Sequence, residues 1–319
     1  MLRRGDDATD VVAHRLALTT VAATFALILF GGLVTNTGSA LAVPDWPTTF
    51  GYNMFLYPWS QMVGGIFYEH SHRLLGSLVG LLTLALAAAL WREGGRLRWL
   101  GLVMVAAVIV QGVLGGLRVV LLKDTLAIVH GCLAQAYFAL AVVVALLTSA
   151  RQRTPVQGID ATARTLTLVA AGLVYVQIVF GALITHAGWI VLHLVGAAAV
   201  FAFVPIVTAR LRRSGDAVAV PAAHALLVLL GVQLLLGVAS FISRFTPVWV
   251  PGGQVTMLAL PVAHRLAGSL ILGAVVIAAV RVLATSASGR VAARHGTPLN
   301  TGAPQHRTPT PPPLRLVRG

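Results

Sequence analysis

The chain of 319 residues is 57% hydrophobic and only 10% charged. This composition excludes an ordinary water-soluble protein and is typical of an integral membrane protein. The formal net charge of +14 does not indicate nucleic-acid binding, because the Lys and Arg residues fall between apolar runs or in the C-terminal tail. Cys132 is the single cysteine, so an intrachain disulfide is excluded.

Apolar runs long enough to span a bilayer recur eight times along the chain, since a hydrocarbon core about 30 Å thick needs roughly 20 residues of helix. We predict transmembrane helices near residues 16–35, 71–91, 97–121, 125–149, 163–186, 188–209, 222–243 and 256–283. The first run could also be a signal peptide cleaved near Ala40-Leu41-Ala42. The first run has a counterpart in the internal repeat described below, which favours a transmembrane helix that is not cleaved off. The fold class predicted is an all-α integral membrane protein.

The distribution of arginine indicates the orientation of these helices. Arginines cluster before the first run and after the second, fourth and sixth, whereas residues 35–68 contain neither Lys nor Arg. By the positive-inside rule we predict a multi-pass protein of the cell inner (cytoplasmic) membrane with both termini cytoplasmic. From residue 285 the composition changes to Ser, Gly, Pro and Arg, which predicts a disordered cytoplasmic tail over 285–319.

An internal duplication is visible in the order of short similar segments. The first and fifth runs end alike, with Phe-Gly-Gly-Leu-Val-Thr at 30–35 and Phe-Gly-Ala-Leu-Ile-Thr at 180–185. The third and seventh share a Val-Gln pair followed by a glycine, Gly115 or Gly237. We therefore predict two tandem four-helix bundles, residues 1–155 and 156–284, related by a pseudo-twofold axis along the membrane normal.

Four histidines lie in or at the mouth of the even-numbered runs: His72, His130, His193 and His264. Ionisable groups in membrane helices are costly and therefore functional candidates. The predicted orientation places all four in the outer half of the bilayer, two in each bundle. The residues one turn later are small, namely Gly76, Ala134, Ala197 and Gly268, which leaves room for a flat macrocycle. The pattern favours two bis-histidine haem sites.

The same histidines are also compatible with ordinary helix packing or with a different metal. A single histidine can form a hydrogen bond across a helix interface, and small residues can mark close helix contacts. A zinc site would need Cys or carboxylate companions in a tighter cluster. His70 and His186, at the outer ends of helices, could contact the edge of a ligand or serve no ligand at all.

Glu69 and four arginines are further candidates near the outer face. Glu69 lies three residues before His72, where a carboxylate could relay protons or simply favour a helix N-terminus. The arginines are Arg73, Arg118, Arg244 and Arg265. Their guanidinium groups suit haem propionates, and snorkelling surface arginines are the alternative.

The residues Gly31–Ser39, the segment Pro44-Asp45-Trp46-Pro47 and Glu69-His70-Ser71-His72-Arg73 together resemble the haem A synthase family. The resemblance continues through His130, His193 and His264-Arg265 up to the tail. It implies an oxidoreductase of cytochrome oxidase assembly that oxidises the C8 methyl of haem O to a formyl group. Some members carry a cysteine pair in the first outer loop, and its absence here excludes a mechanism that uses those thiols.

The resemblance also implies a role for each candidate. The residues implied for the substrate haem are His72, His130, Arg73 and Arg118. Those implied for a resident haem b, which would pass electrons, are His193, His264, Arg265 and Arg244. Glu69 would be the catalytic carboxylate. Haem O synthase and an electron donor are the partners expected besides haem O and the lipid bilayer.

Two other functions use the same residues. A di-haem electron-transfer protein of the cytochrome b type would keep both haems permanently. A proton-coupled transporter built from parallel repeats would use the histidines as a proton relay and contain no haem.

Overall fold

The computed structural model describes residues 3–295, and the side chains of residues 11–284. Within this range the chain contains eight helices long and apolar enough to cross a membrane, which confirms the predicted all-α membrane fold. The helices are α1 (Arg3–Asn36), α2 (Gly65–Glu93), α3 (Gly95–Leu121), α4 (Asp124–Leu147), α5 (Ala161–Ala187), α6 (Ile190–Arg213), α7 (Ala219–Phe245) and α8 (Gly253–His295). The chain is thus a multi-pass membrane protein.

Local signals explain where some of these helices begin and end. The Asp160 side chain accepts a hydrogen bond from the backbone N–H of Ala163 and so caps the start of α5. At its other end Gly188 adopts a left-handed conformation with a φ of 73° and donates to the carbonyl of Ile184, which is the geometry that glycine favours after a helix. The turn at Gly188 allows α6 to begin at Ile190, directly after α5.

Two helices extend beyond the predicted boundaries. α2 begins at Gly65, earlier than the apolar run, because polar groups in its first two turns find partners in the preceding loop. α8 continues to His295, so this helix includes residues 285–295, the first part of the predicted tail. This stretch is rich in Ala and lacks proline, a composition that permits helix. The remainder of the predicted tail, 296–319, lies outside the described residues.

The helices pack in the same order in both halves of the chain. In the N-terminal half α1 and α3 each contact α2 and α4, and in the C-terminal half α5 and α7 each contact α6 and α8. Contacts of α1 with α8, of α4 with α5 and of α4 with α8 join the two halves. This order is the one that a duplicated four-helix unit would give, and the pseudo-twofold axis stays a prediction.

Separate apolar cores fill the two halves. Leu86, Met104 and Ala141 are fully buried in the N-terminal core, and a second core in the C-terminal half includes the buried side chains of Val204 and Val275. Each core lies away from the end of its half at which α1 meets α2 and α5 meets α6, so that end is left to the polar groups described below.

A buried ion pair joins three segments at the end of the molecule opposite the first long loop. Arg281 of α8 donates to both carboxylate oxygens of Asp216, and both side chains are fully buried. Arg281 also donates to the carbonyls of Thr154 and Pro155 in the loop between α4 and α5. Burial raises the pKa of Asp216, but bonds from Arg281 and from backbone N–H groups outweigh it and lower the pKa to about 2. The carboxylate is therefore charged at neutral pH.

Candidate functional site

The four predicted histidines form two facing pairs, one in each half. The rings of His72 on α2 and His130 on α4 have centroids 6.4 Å apart and planes inclined by 79°. Those of His193 on α6 and His264 on α8 have centroids 6.1 Å apart and planes inclined by 73°. The two halves thus present the same arrangement of imidazoles.

This spacing fits one metal ion held between two imidazoles. Each metal–nitrogen bond is about 2 Å and each nitrogen lies about 1 Å from its ring centre, so ligation across one ion separates the centres by about 6 Å. The Nδ1 atoms of His72, His130 and His264 are buried without a hydrogen-bond partner. A buried polar atom normally has a hydrogen-bond partner or binds a ligand. We conclude that the residues of both pairs fit bis-histidine ligation of a haem iron.

A haem fits these pairs better than zinc does. In the part of the chain that the structure describes, no group of three or more His, Cys, Asp or Glu residues could hold a metal ion. Zinc takes at least three protein ligands, whereas a porphyrin supplies four nitrogens and asks the protein only for axial ligands.

A glycine on an odd-numbered helix faces each of the four histidines. A Cβ on these glycines would lie 3.1 to 3.5 Å from the facing ring. The facing pairs are Gly31 with His72, Gly115 with His130, Gly181 with His193 and Gly237 with His264. These glycines were recognised in the sequence only as marks of the repeat. The structure gives their reason, because a larger residue would press on the imidazole.

Three glutamines contact the same histidines from one turn earlier on the odd-numbered helices. Gln177 Nε2 lies 2.9 Å from the His193 carbonyl and 3.1 Å from His193 Nδ1. Gln111 Nε2 donates to the carbonyl of His130 at 3.2 Å. Gln233 Nε2 lies 3.3 Å from the Nε2 of His264. The sequence reasoning missed Gln177, although a glutamine inside a predicted membrane helix is itself a signal.

Glu69 and Arg73 hold the loop between α1 and α2 (residues 37–64) against α2. Glu69 is 4% exposed, and its carboxylate accepts from the backbone N–H of Val43 at 3.0 Å and from Arg73 at 2.8 Å. Arg73 also donates to the carbonyls of Val43, Asp45 and Thr48. With its two Nη atoms engaged in this way, Arg73 anchors the loop, and the geometry gives no support to its predicted contact with a haem propionate.

The same loop has further attachments to α2 and α3. His70 is buried, its Nδ1 lies 3.1 Å from the hydroxyl of Thr49, and its ring packs against Tyr57. The Trp46 indole lies on Gly116 of α3, where a Cβ would overlap it. His70 therefore helps to hold the loop, and the loop covers the end of the N-terminal half at which α2 begins and α3 ends.

Asp45 organises the tip of this loop. Its carboxylate accepts from the Thr48 hydroxyl and from the backbone N–H groups of Phe50 and Gly51. Burial raises the pKa of Asp45, but these hydrogen bonds outweigh it and lower the pKa to about 2. Asp45 therefore stays ionised and keeps the loop closed on itself at neutral pH.

The remaining arginines lie between the two halves. A Cβ on Gly32 of α1 would lie 3.6 Å from an Nη atom of Arg265, so this α8 side chain reaches across to the N-terminal half. Arg244 of α7 likewise donates to the side chain of Asn36 on α1. Arg118 and Arg265 make no hydrogen bond or ion pair with the described residues. Their donors are available to the carboxylates of a ligand.

Comparisons with known proteins follow this geometry. The family model described as cytochrome oxidase assembly protein, COX15-CtaA, matches residues 14–192. A protein of Shouchella clausii (strain KSM-K16) named "Heme A synthase" is 36% identical over 110 residues. That alignment covers 33% of this chain and 35% of the relative, so the chain matches only about a third of the relative's length.

Proposed function

Because the chain belongs to the COX15-CtaA family of cytochrome oxidase assembly proteins, we propose that it converts haem O to haem A by oxidising the C8 methyl group to a formyl group. The observation that carries this proposal is the presence of two facing histidine pairs, each spaced for one haem iron. The relative named "Heme A synthase" supports the choice of reaction. Two successive hydroxylations of the methyl carbon, each by an oxidant that supplies one oxygen atom, followed by loss of water from the second product, would give the formyl group. The proposed partners are an electron donor and haem O synthase, which would supply haem O.

We assign the substrate to the N-terminal half. His72 and His130 would hold haem O there, and Gly76 leaves open space one turn after His72, since a Cβ on it would meet nothing within 4 Å. Arg118, and Arg265 reaching over from α8, would orient the substrate by binding its carboxylates. The first outer loop would exclude water from the reacting edge.

The C-terminal half would hold the resident cofactor. His193 and His264 would ligate haem b, which when bound supplies one-electron transfer. Gln177 and Gln233 would fix the orientation of these two imidazoles, as hydrogen-bonded partners of metal-binding histidines do. Arg244, bonded to Asn36 of α1, ties this half to the substrate half. We place both termini in the cytoplasm on the distribution of arginine.

Glu69 is proposed as the group that accepts or donates a proton at the substrate edge. It lies one turn before His72 on α2, and its oxygens are fixed by Arg73 and by the backbone of Val43. A carboxylate held in one orientation beside a reacting carbon is suited to general acid–base work.

Haem analysis tests this proposal directly. The chain is expressed in a host that makes haem O but not haem A, and extracted haems are separated by chromatography. We expect haem A with the unaltered chain and none with His72→Ala. His224→Ala is the matched control, because that histidine is exposed near the start of α7. Two permanent b-type haems without haem A would instead support the electron carrier. Purified protein without a Soret band would refute the haem sites and is the result that the transporter predicts.

A further inference from the structure

The loop between α1 and α2 (residues 37–64) exposes large apolar side chains, although it lies outside the membrane-spanning helices. Four of them are each at least 65% exposed and form what we call the apolar face of the loop: Phe55, Leu56, Trp59 and Val63. From residue 46 to residue 68 the chain contains no Asp, Glu, Lys, Arg or His. Apolar surface of this extent is rare in contact with water and marks an interaction site.

The loop is folded, so its apolar face is a fixed surface. Tyr57 and Met62 are buried, and the Tyr57 ring packs against that of His70. Two short helices of the 3₁₀ type, Met54–Leu56 and Trp59–Gln61, carry three of the four exposed residues. The loop therefore sorts its apolar side chains into a buried set and an exposed set.

The apolar surface of the loop continues into the surface of α3. The Trp46 indole lies on Gly116, and beside it a groove of about 390 Å³ is lined by Trp46 and by Val119, Val120 and Leu122 at the end of α3. Val120 and Leu122 are exposed, as lipid-facing side chains of a membrane-spanning helix are. The same apolar medium can therefore cover both the helix and the loop.

Exposed tryptophans also occur in other connections at the same end of the molecule. Trp189 lies between α5 and α6 and Trp249 between α7 and α8, and both are more than half exposed. At the opposite end Trp91 and Trp99 flank the turn between α2 and α3, with the Arg98 guanidinium over both rings. Tryptophan belts at two levels are typical of the two membrane–water interfaces. Their presence in both halves favours lipid over a single protein partner.

We propose that the loop between α1 and α2 binds the lipid surface, with its apolar face in the headgroup and upper acyl region of the leaflet on that side. Aromatic rings with a polar edge suit this region, where one end of the ring is apolar and the other is wet. Glu69 and Arg73 hold the loop to α2 through the backbone of Val43, and lipid holds it from the other side. The inference rests on the membrane fold and not on the proposed function.

Site-directed spin labelling tests the inference. Cys132 is the single cysteine, so Cys132→Ala gives a background in which one new cysteine carries a nitroxide, and the protein is placed in phosphatidylcholine nanodiscs. At Phe55→Cys and Trp59→Cys, oxygen dissolved in lipid should relax the nitroxide more than a water-soluble nickel chelate does. Ser60→Cys and Gln61→Cys are the matched controls, because both side chains are exposed and about three residues per turn direct them away from Trp59. The chelate should relax these two labels more strongly.

Other results would overturn the inference. Stronger relaxation by the chelate than by oxygen at Phe55→Cys and Trp59→Cys would place the apolar face in water, and protection from both reagents would show that protein covers it. A second measurement needs no label. Phosphatidylcholine brominated on its acyl chains should quench more fluorescence in the unaltered protein than in Trp59→Phe, and equal quenching would also count against lipid contact. Failure to form haem A would refute the proposed function and leave this inference standing.

Discussion

Replacement of Glu69 by glutamine separates chemistry from folding at the substrate edge. Glutamine keeps the size and an oxygen that accepts from the Val43 N–H, but it removes the charge facing Arg73 at 2.8 Å. Both side chains are less than 10% exposed, so solvent screens this contact little. A hydrogen bond to a charged group contributes about 1.5–3 kcal/mol, and we expect Glu69→Gln to weaken the attachment of the loop by this amount.

A loss of this size loosens the loop without unfolding eight helices. We therefore expect Glu69→Gln to insert normally and to keep the low-spin spectrum of the C-terminal haem. Its haem extract should contain little haem A and an excess of haem O or partly oxidised haem O. Chromatography of the extract and the absorption spectrum of the same preparation measure both quantities.

Arg73→Met is the matched variant, because it breaks the same ion pair and further loop contacts but leaves the carboxylate in place. If the carboxylate takes part in proton transfer, Glu69→Gln should reduce haem A far more than Arg73→Met does. Equal loss in the two variants would show that Glu69 acts only through the loop. A normal haem A yield from Glu69→Gln would remove this residue from the mechanism.

Three further predictions concern the haem sites and the buried ion pair. His193→Ala should abolish the b-type spectrum of the C-terminal half, and a full low-spin spectrum after purification would contradict the ligand assignment. Gly115→Ala should weaken haem binding in the N-terminal half because its Cβ would lie 3.3 Å from the His130 ring, whereas Gly112→Ala, with nothing within 4 Å, should bind normally. Arg281→Met leaves Asp216 charged and buried and should lower the free energy of unfolding by about 3–5 kcal/mol. Asp216→Asn in that background should recover part of this loss in thermal unfolding. The pKa of Asp216 is about 2 in the folded protein and 3.8 ordinarily. The charged carboxylate therefore stabilises the fold fully above about pH 4, and this stabilisation is lost as the pH falls toward 2.

The helices and the four histidines were predictable from the sequence. Apolar runs of bilayer length have few alternatives to helix, because every backbone polar group in lipid must be paired within the element. Histidines in such runs are rare enough to be noticed, and the order of the repeated segments assigned two to each half. The position of His72 and His130 in one half therefore required no knowledge of contacts.

Other features depended on contacts between residues far apart in the chain. Glu69 and Arg73 were predicted to belong to a haem site. Their hydrogen bonds to the backbone of Val43 could not be predicted, because no periodicity indicates the path of that loop. Arg265 was assigned to the C-terminal haem, and no local pattern indicates that its side chain also reaches Gly32 of α1. Arg281 lies inside the eighth predicted helix, where a charge is itself a signal, but nothing in the sequence indicates that Asp216 is its partner.

The physical reason for this division is the range of the forces concerned. Burial in lipid acts on each run of about 20 residues independently, so local composition determines the helices and their order. The partner of a charged side chain depends on which helices pack together and at what depth, as the reach of Arg265 to Gly32 illustrates. Only the tertiary structure decides which partner a charged side chain has, because a buried charge is paired with whatever polar group the packing brings within hydrogen-bond distance.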